Sequence, residues 1–315
     1  MPTAADPRPV VVLGAAGFIG RALTTQLAMS GFKVRAVTRT AAAFAAPVEA
    51  RVAGTLDRRS DWRGLFDGAR AVVHLASRAH APPGDAAWLA TERDTAAAIA
   101  AAATVAGVER TILLSSIKVL GETTTDRPFS AASQPDPRDA YGHAKLAIET
   151  AMRQHGAPGL TIIRPPLVYG PEVKGNFRAL LRWIDRRLPL PLAAIRNRRA
   201  FVFRDNLLAL IATAVVHPGA AGQIFLVRDD DEIGTPQLVR EIGRRIGAPT
   251  RLFPAPAWLL RAVTADRLVG SLTIDDGATR AHLEWRPLFS LADGLDATCR
   301  WFVDAEGARA RASRL

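Results

Sequence analysis

The sequence predicts an α/β protein built as a doubly wound parallel sheet with a smaller C-terminal lobe. Three observations lead there. Short apolar runs alternate with helical stretches through the first half, as right-handed crossovers between parallel strands require. A glycine-rich turn joins the first run to the first helix. After Pro165-Pro166 the segments shorten, and prolines punctuate them at 171, 189, 191, 218, 236, 254 and 256.

The elements follow in order. Val10-Val11-Val12-Leu13 reads as a buried strand and residues 18–30 as a helix that Gly31 ends. Val34 to Thr38 is a second strand, Arg51-Val52-Ala53 a weak third and Ala71 to Leu75 a clear fourth. An alanine-rich helix spans 86–106, and Thr111 to Ser116 forms a fifth strand. A polar loop from Ile117 to Arg138 leads to a helix at 139–155 and a sixth strand at Leu160 to Arg164. Beyond it, helical patterns cover 176–187, 205–216, 235–246, 256–268 and 291–303, with a strand at Gln223 to Val227 and a polar, frayed end from Ala305. The division is residues 1–170 for the sheet and 171–315 mainly for the lobe, interleaved with the sheet.

Composition narrows the class. The 315 residues are 49% hydrophobic and 23% charged, ordinary for a globular chain. No apolar stretch reaches the ~18 residues of a membrane helix, and the first nine residues lack a signal-peptide layout. The single Cys299 excludes a disulfide framework, and six dispersed histidines give no metal-ligand spacing, so no metal is expected. A reducing cytoplasm fits. The net charge of +11 comes from 41 basic residues, of which only Lys33, Lys118, Lys145 and Lys174 are lysine. The arginines are scattered, without a nucleic-acid motif, so an anionic small molecule explains the excess better than nucleic acid. The run Asp229-Asp230-Asp231-Glu232 reads as a solvated loop, His74 as a satisfied interior group, and Trp183, Trp258, Trp285 and Trp301 as packing residues.

Gly14-Ala15-Ala16-Gly17-Phe18-Ile19-Gly20 lies where the first strand meets the first helix. Gly14 permits the tight turn, Gly17 close approach of a pyrophosphate, and Gly20 packing of helix on sheet. The N–H groups around Phe18 and Ile19 and the positive helix end suit phosphates. This is the dinucleotide turn of a Rossmann sheet. Where an acidic residue at the end of the second strand would select NAD, Thr38 stands, followed by Arg39 and with Arg35 nearby. No acid repels a 2′-phosphate and an arginine can pair with it, so NADP is preferred, with NAD possible.

Tyr141 and Lys145 are four residues apart on one helix face, 25 residues after Ser116 at the end of the fifth strand. A free tyrosine is a poor acid or base near neutrality. Lowering its pKa by ~3 units takes ~4 kcal/mol, which a lysine ammonium and a cationic nicotinamide could supply in a desolvated site.

With Gly14, Gly17, Gly20, Ser116, Tyr141 and Lys145, the chain resembles an extended short-chain dehydrogenase/reductase over nearly its whole length. Leu114 to Glu122, Arg164 to Pro171, Val173 to Phe177 and Asn197-Arg198-Arg199 resemble the NAD-dependent epimerase/dehydratase branch, in its UDP-glucose 4-epimerase-like subgroup. That resemblance implies a UDP-sugar substrate and C4 chemistry. Tyr141 would be the proton donor or acceptor, Ser116 would hold the C4 oxygen, and Lys145 would bind the nicotinamide ribose. Ser115 is a weaker substrate contact, Asn176 and Arg199 would hold the diphosphate, and Lys118 would touch substrate or seal its loop. A homodimer through helices 86–106 and 139–155 is a further implication. The chain departs from the wider family at Gly54-Thr55-Leu56, at Thr91 to Thr95, which lacks the usual Asn, and at Leu167. These departures, with Arg39, favour an NADPH-dependent reductase of a UDP-4-keto-6-deoxy-(N-acetyl)hexosamine over an epimerase with bound NAD. A non-catalytic dinucleotide-binding scaffold or redox sensor would not require the intact Ser116, Tyr141 and Lys145.

Overall fold

A computed structural model describes residues 6–45, 47–76, 86–256 and 269–312, with side chains in the last stretch as far as Glu306. Seven strands form one sheet: β1 (Val10–Leu13), β2 (Val34–Thr38), β3 (Val48–Val52), β4 (Ala71–His74), β5 (Arg110–Leu114), β6 (Thr161–Arg164) and β9 (Ile224–Leu226). Their order is β3-β2-β1-β4-β5-β6-β9, and every neighbouring pair is parallel. Parallel strands need crossovers, supplied by α1 (Phe18–Met29), α2 (Trp62–Phe66), α3 (Ala86–Val105), α4 (Ala140–Gln154) and α6 (Arg204–Val216).

The strand period explains the two layers. Val10 and Val12 point to a core containing Leu23 and Leu27 of α1 and Leu207 and Ile211 of α6. Val11 and Leu13 point to the opposite core, with Trp62 and Phe66 of α2, Ile99 of α3, and Ile148 and Met152 of α4. All four β1 side chains are fully buried, so the strand reads as an unbroken apolar run rather than an alternation. Sequence order reverses between β1 and β4, which opens a crevice at the strands' C-terminal ends.

The lobe packs α5 (Gly175–Asp185), α7 (Thr235–Ile246) and α9 (Leu291–Ala312) around Phe201 and Phe203 of β8 (Phe201–Phe203). Strand β8 pairs in parallel with β7 (Leu167–Tyr169) as a separate two-stranded ribbon. Asp229 ties lobe to sheet. It is fully buried and accepts hydrogen bonds from the Tyr169 hydroxyl (2.8 Å), the Phe203 N–H (2.9 Å) and the Asn206 amide (2.8 Å). The Asn206 side chain then accepts the N–H groups of Leu288 and Phe289, just before α9.

Several expectations need correction. The acidic run is not a solvated loop: Asp229 is the buried hub, Glu232 binds the Ile274 N–H and Arg198, and Asp230 pairs with Arg280. The third strand starts at Val48, because an exposed edge strand carries a weak apolar signal. Strands β7 and β8, helix α2 and helix α8 (Gly277–Leu283) escaped notice because each has seven residues or fewer, too short for periodicity. The last helix continues to Ala312 instead of fraying from Ala305. Trp285 packs in the core and Trp301 under Arg178, but Trp183 is 46% exposed. Trp258 and nearly all of the expected helix at 256–268 lie outside the described residues.

A buried ion pair joins α4 to β6. Arg164 donates to Glu149 through Nε (2.9 Å) and Nη2 (2.6 Å), and both side chains are at most 3% exposed. Arg164→Met leaves a buried carboxylate uncompensated and should cost about 3–5 kcal/mol in urea unfolding. Adding Glu149→Leu should recover most of that loss, because the desolvated charge goes with it.

Candidate active site

The site is assembled at the C-terminal ends of β1, β4 and β5. At the β1–α1 turn Gly14 has φ +84°, and a Cβ there would lie 2.9 Å from the Ala76 nitrogen. A Cβ on Gly20 would meet the Gly14 carbonyl oxygen at 2.2 Å, so the first turn of α1 rests directly on the loop. Gly17 is the N-cap and no side chain caps the helix, which leaves the N–H groups of its first turn to a ligand. Phe18 and Ile19, both half-buried, pack towards the lobe core and the sheet core. The cradle fits a dinucleotide pyrophosphate.

At the end of β2 the Thr38 hydroxyl contacts the Arg51 carbonyl and Arg39 is exposed. Arg35 is not available there. Its guanidinium binds Glu49 and the carbonyls of Leu65 and Asp67.

Ser116 follows β5 and caps a short 3₁₀ turn, Ile117–Val119, its hydroxyl accepting the Lys118 N–H at 3.3 Å. Asp139 caps α4 by accepting the Gly142 N–H at 2.8 Å. Lys118 joins the two, forming ion pairs with Asp139 and with Glu122 (3.4 Å). It therefore seals its loop. A Cβ on Gly142 would sit 2.6 Å from the Lys118 carbonyl oxygen, so this glycine is what lets the turn and helix meet. Sequence reasoning noticed Gly142 only as a spacer, because a close approach leaves no periodic signal.

Lys145 is 3% exposed and donates to the Leu114 carbonyl at 2.9 Å, with its Nζ 5.7 Å from the Tyr141 ring centroid. Burial pushes its pKa down to about 8, against the carboxylates of Glu92 and Glu149, which raise it. Burial pushes Tyr141 up to about 12, and the charges of Asp139 and Glu92 add to that. His74, on β4, is held neutral, its pKa pushed down to about 3 by burial and by Lys145. Its Nδ1 is buried with no partner among the described residues, so it is not the satisfied group expected.

Ser115 is corrected too. Its buried hydroxyl donates to Glu149 at 2.5 Å, which turns it away from the crevice and into the Glu149–Arg164 pair. Arg199 is half-buried, donates to the Gly270 carbonyl at 2.8 Å and makes no ion pair among the described residues. Burial lowers its pKa, against the Glu122 carboxylate, which raises it. Asn176 is exposed in the first turn of α5. Asn197 is structural, bound to Thr235 and the Gly270 carbonyl. Among the described residues no group of His, Cys, Asp or Glu could hold a metal, and no helix is long and apolar enough to cross a membrane.

A phenol next to a buried ammonium can give a proton to an oxygen that gains negative charge. Among the described residues the Tyr141 hydroxyl makes no hydrogen bond, so Tyr141→Phe should leave folding intact. Turnover should fall by about 10²–10⁴-fold while the dinucleotide dissociation constant, read by fluorescence titration, changes little.

Comparisons with known proteins show the family. The family model described as "NAD dependent epimerase/dehydratase family" matches residues 10–227. A UDP-glucose 4-epimerase of Vibrio cholerae is 34% identical over 95% of this chain and 97% of its own. A ceramide reductase of Caulobacter vibrioides is 29% identical, covering 95% of this chain and 96% of its own. The crystal structure of the Bordetella bronchiseptica enzyme WbmG with NAD superposes with a TM-score of 0.80 at 20% identity, over 96% of both chains, a likeness of fold. The chain thus belongs to the NAD-dependent epimerase/dehydratase family and is an extended short-chain dehydrogenase/reductase.

Proposed function

We propose that the protein reduces the C4 ketone of a nucleotide sugar, with a UDP-4-keto-6-deoxy-(N-acetyl)hexosamine as substrate and NADPH as reductant. The observation that carries this reading is the end of β2, where Thr38 and an exposed Arg39 stand in place of the acidic residue that would select NAD. Tyr141, a phenol at neutral pH, is the proton donor that ketone reduction asks for. When bound, the reduced nicotinamide supplies a hydride to C4. Tyr141 gives its proton to the C4 oxygen, Ser116 aligns that oxygen, and Lys145 orients the ribose. One ketone and one NADPH, with that proton, become one alcohol and one NADP⁺.

Arg199 supports an anionic substrate. A half-buried guanidinium without an ion pair among the described residues favours binding a diphosphate, and Asn176 adds an amide at the start of α5. Arg39 and the absence of an acid at the end of β2 support NADP over NAD.

A second reading is a UDP-hexose 4-epimerase with retained NAD, favoured by the 34% identical relative of that name. Coenzyme and sugar followed together separate the two. The reductase reading expects one NADPH consumed per new C4 hydroxyl when the purified protein meets the 4-keto sugar, with NADH poorer. C4 inversion of plain UDP-hexoses without net coenzyme use would overturn it.

A further inference from the structure

We propose that an apolar ridge on the lobe, flanked by unpaired arginines, docks the protein on an anionic membrane surface. The inference goes beyond the reaction proposed above, and vesicles without any substrate test it.

The ridge begins at the end of α5. Phe177, Leu181 and Ile184 form the buried face of that helix, and Trp183 is left outside it, 46% exposed. The helix closes with the Arg187 N–H donating to the Ile184 carbonyl (2.8 Å) and the Leu188 N–H to the Trp183 carbonyl (3.1 Å). This is a Schellman ending, which sets Leu188 against the turn that carries Trp183. Leu188 is 43% exposed. Two residues on, Leu190 pairs in parallel with Leu252, its N–H donating to the Arg251 carbonyl (2.8 Å) and its carbonyl accepting the Phe253 N–H (3.1 Å). Leu190 and Leu252 both pack on the lobe core, so alternation turns Arg251 and Phe253 outward. Phe253 is 46% exposed. Three large apolar side chains thus share one edge of the lobe.

Charge says what covers them. Arg186, Arg187 and Arg251 are exposed and make no ion pair among the described residues, and Asp185 is the one acid between residues 182 and 188. Arg187 occupies the left-handed position of the cap, φ +56°, where a side chain is strained and glycine is not. Helix α7 ends on Gly247 at the equivalent position. The end of α5 therefore carries a guanidinium at the cost of a better cap. A ridge of this size falls well short of the roughly 20–30 residues a side of a stable protein interface. A bilayer uses both of its parts: the apolar side chains enter at the acyl boundary while the guanidiniums stay level with the phosphates. Tryptophan favours that boundary. The contact is docking and not insertion, since no helix among the described residues is long and apolar enough to span.

Co-sedimentation of the full chain with vesicles tests the proposal. The protein should bind vesicles of equal parts phosphatidylcholine and phosphatidylglycerol, ignore pure phosphatidylcholine, and come off as salt rises. Trp183→Ala with Phe253→Ala should weaken binding by about tenfold or more, and so should Arg186→Glu with Arg187→Glu. Arg58→Glu with Arg59→Glu makes the same change of charge at exposed residues after β3 and should leave most of the binding. Arg187→Gly relieves the cap, so it should keep or raise Tm and still weaken binding. Near-ultraviolet circular dichroism checks the fold of each variant. Failure to bind the mixed vesicles overturns the proposal. So does a loss in the Arg58 and Arg59 variant equal to that of the ridge arginines, which would trace binding to the net charge of +11 alone. Self-association that Trp183→Ala abolishes, without vesicle binding, would give the ridge to a second copy of the chain and overturn it as well. Turnover enters none of these readouts, so a failed reductase assay would count against the functional reading only.

Discussion

Burying the ammonium of Lys145 is the constraint around which the active-site end of this protein is arranged. An unpaired ammonium in the interior costs several kcal/mol, and the structure answers with the Leu114 carbonyl and the fields of Glu92 and Glu149. The hydrogen bond pins helix α4 to the last residue of β5. Once it is made, Ser116 at the end of that strand and Tyr141 one turn before the lysine have little freedom relative to each other. Glu149 answers to two demands, since it also holds Arg164 and Ser115. The buried pair that fixes β6 and the electrostatics of the site therefore share one carboxylate.

The same logic reaches the lobe. A lobe formed on short strands and loops needs an anchor stronger than apolar contact alone, and Asp229 provides it through Tyr169, Phe203 and Asn206. The protein's two tyrosines are thus used in opposite ways. Tyr169 is a fully buried tie between ribbon and lobe, whereas the Tyr141 hydroxyl makes no hydrogen bond among the described residues, which suits the proton transfer proposed for it.

Much of this could be read from the chain. The sheet and its first crossovers announce themselves because fully buried parallel strands are short apolar runs and the helices between them are long. The glycine turn, Ser116, Tyr141 and Lys145 are legible because chemistry fixes their spacing to the ends of those elements. What stayed hidden depends on contacts between distant residues. Nothing local says that Asp229 is buried while Asp230 is not, that the Ser115 hydroxyl turns inward to Glu149, or that Arg35 is taken by Glu49.

The fate of one hydrogen tests the proposed reduction most directly. NADPH deuterated at its transferable position would be given to the protein with a UDP-4-keto-6-deoxy-N-acetylhexosamine, and the product examined by NMR. The account predicts one deuterium at sugar C4 for each coenzyme oxidised, with the hydroxyl proton drawn from solvent through Tyr141. No coenzyme oxidised and no deuterium at C4, together with C4 inversion of a plain UDP-hexose by the same protein, would contradict it, because the hydride would then pass from the sugar to a retained coenzyme and back.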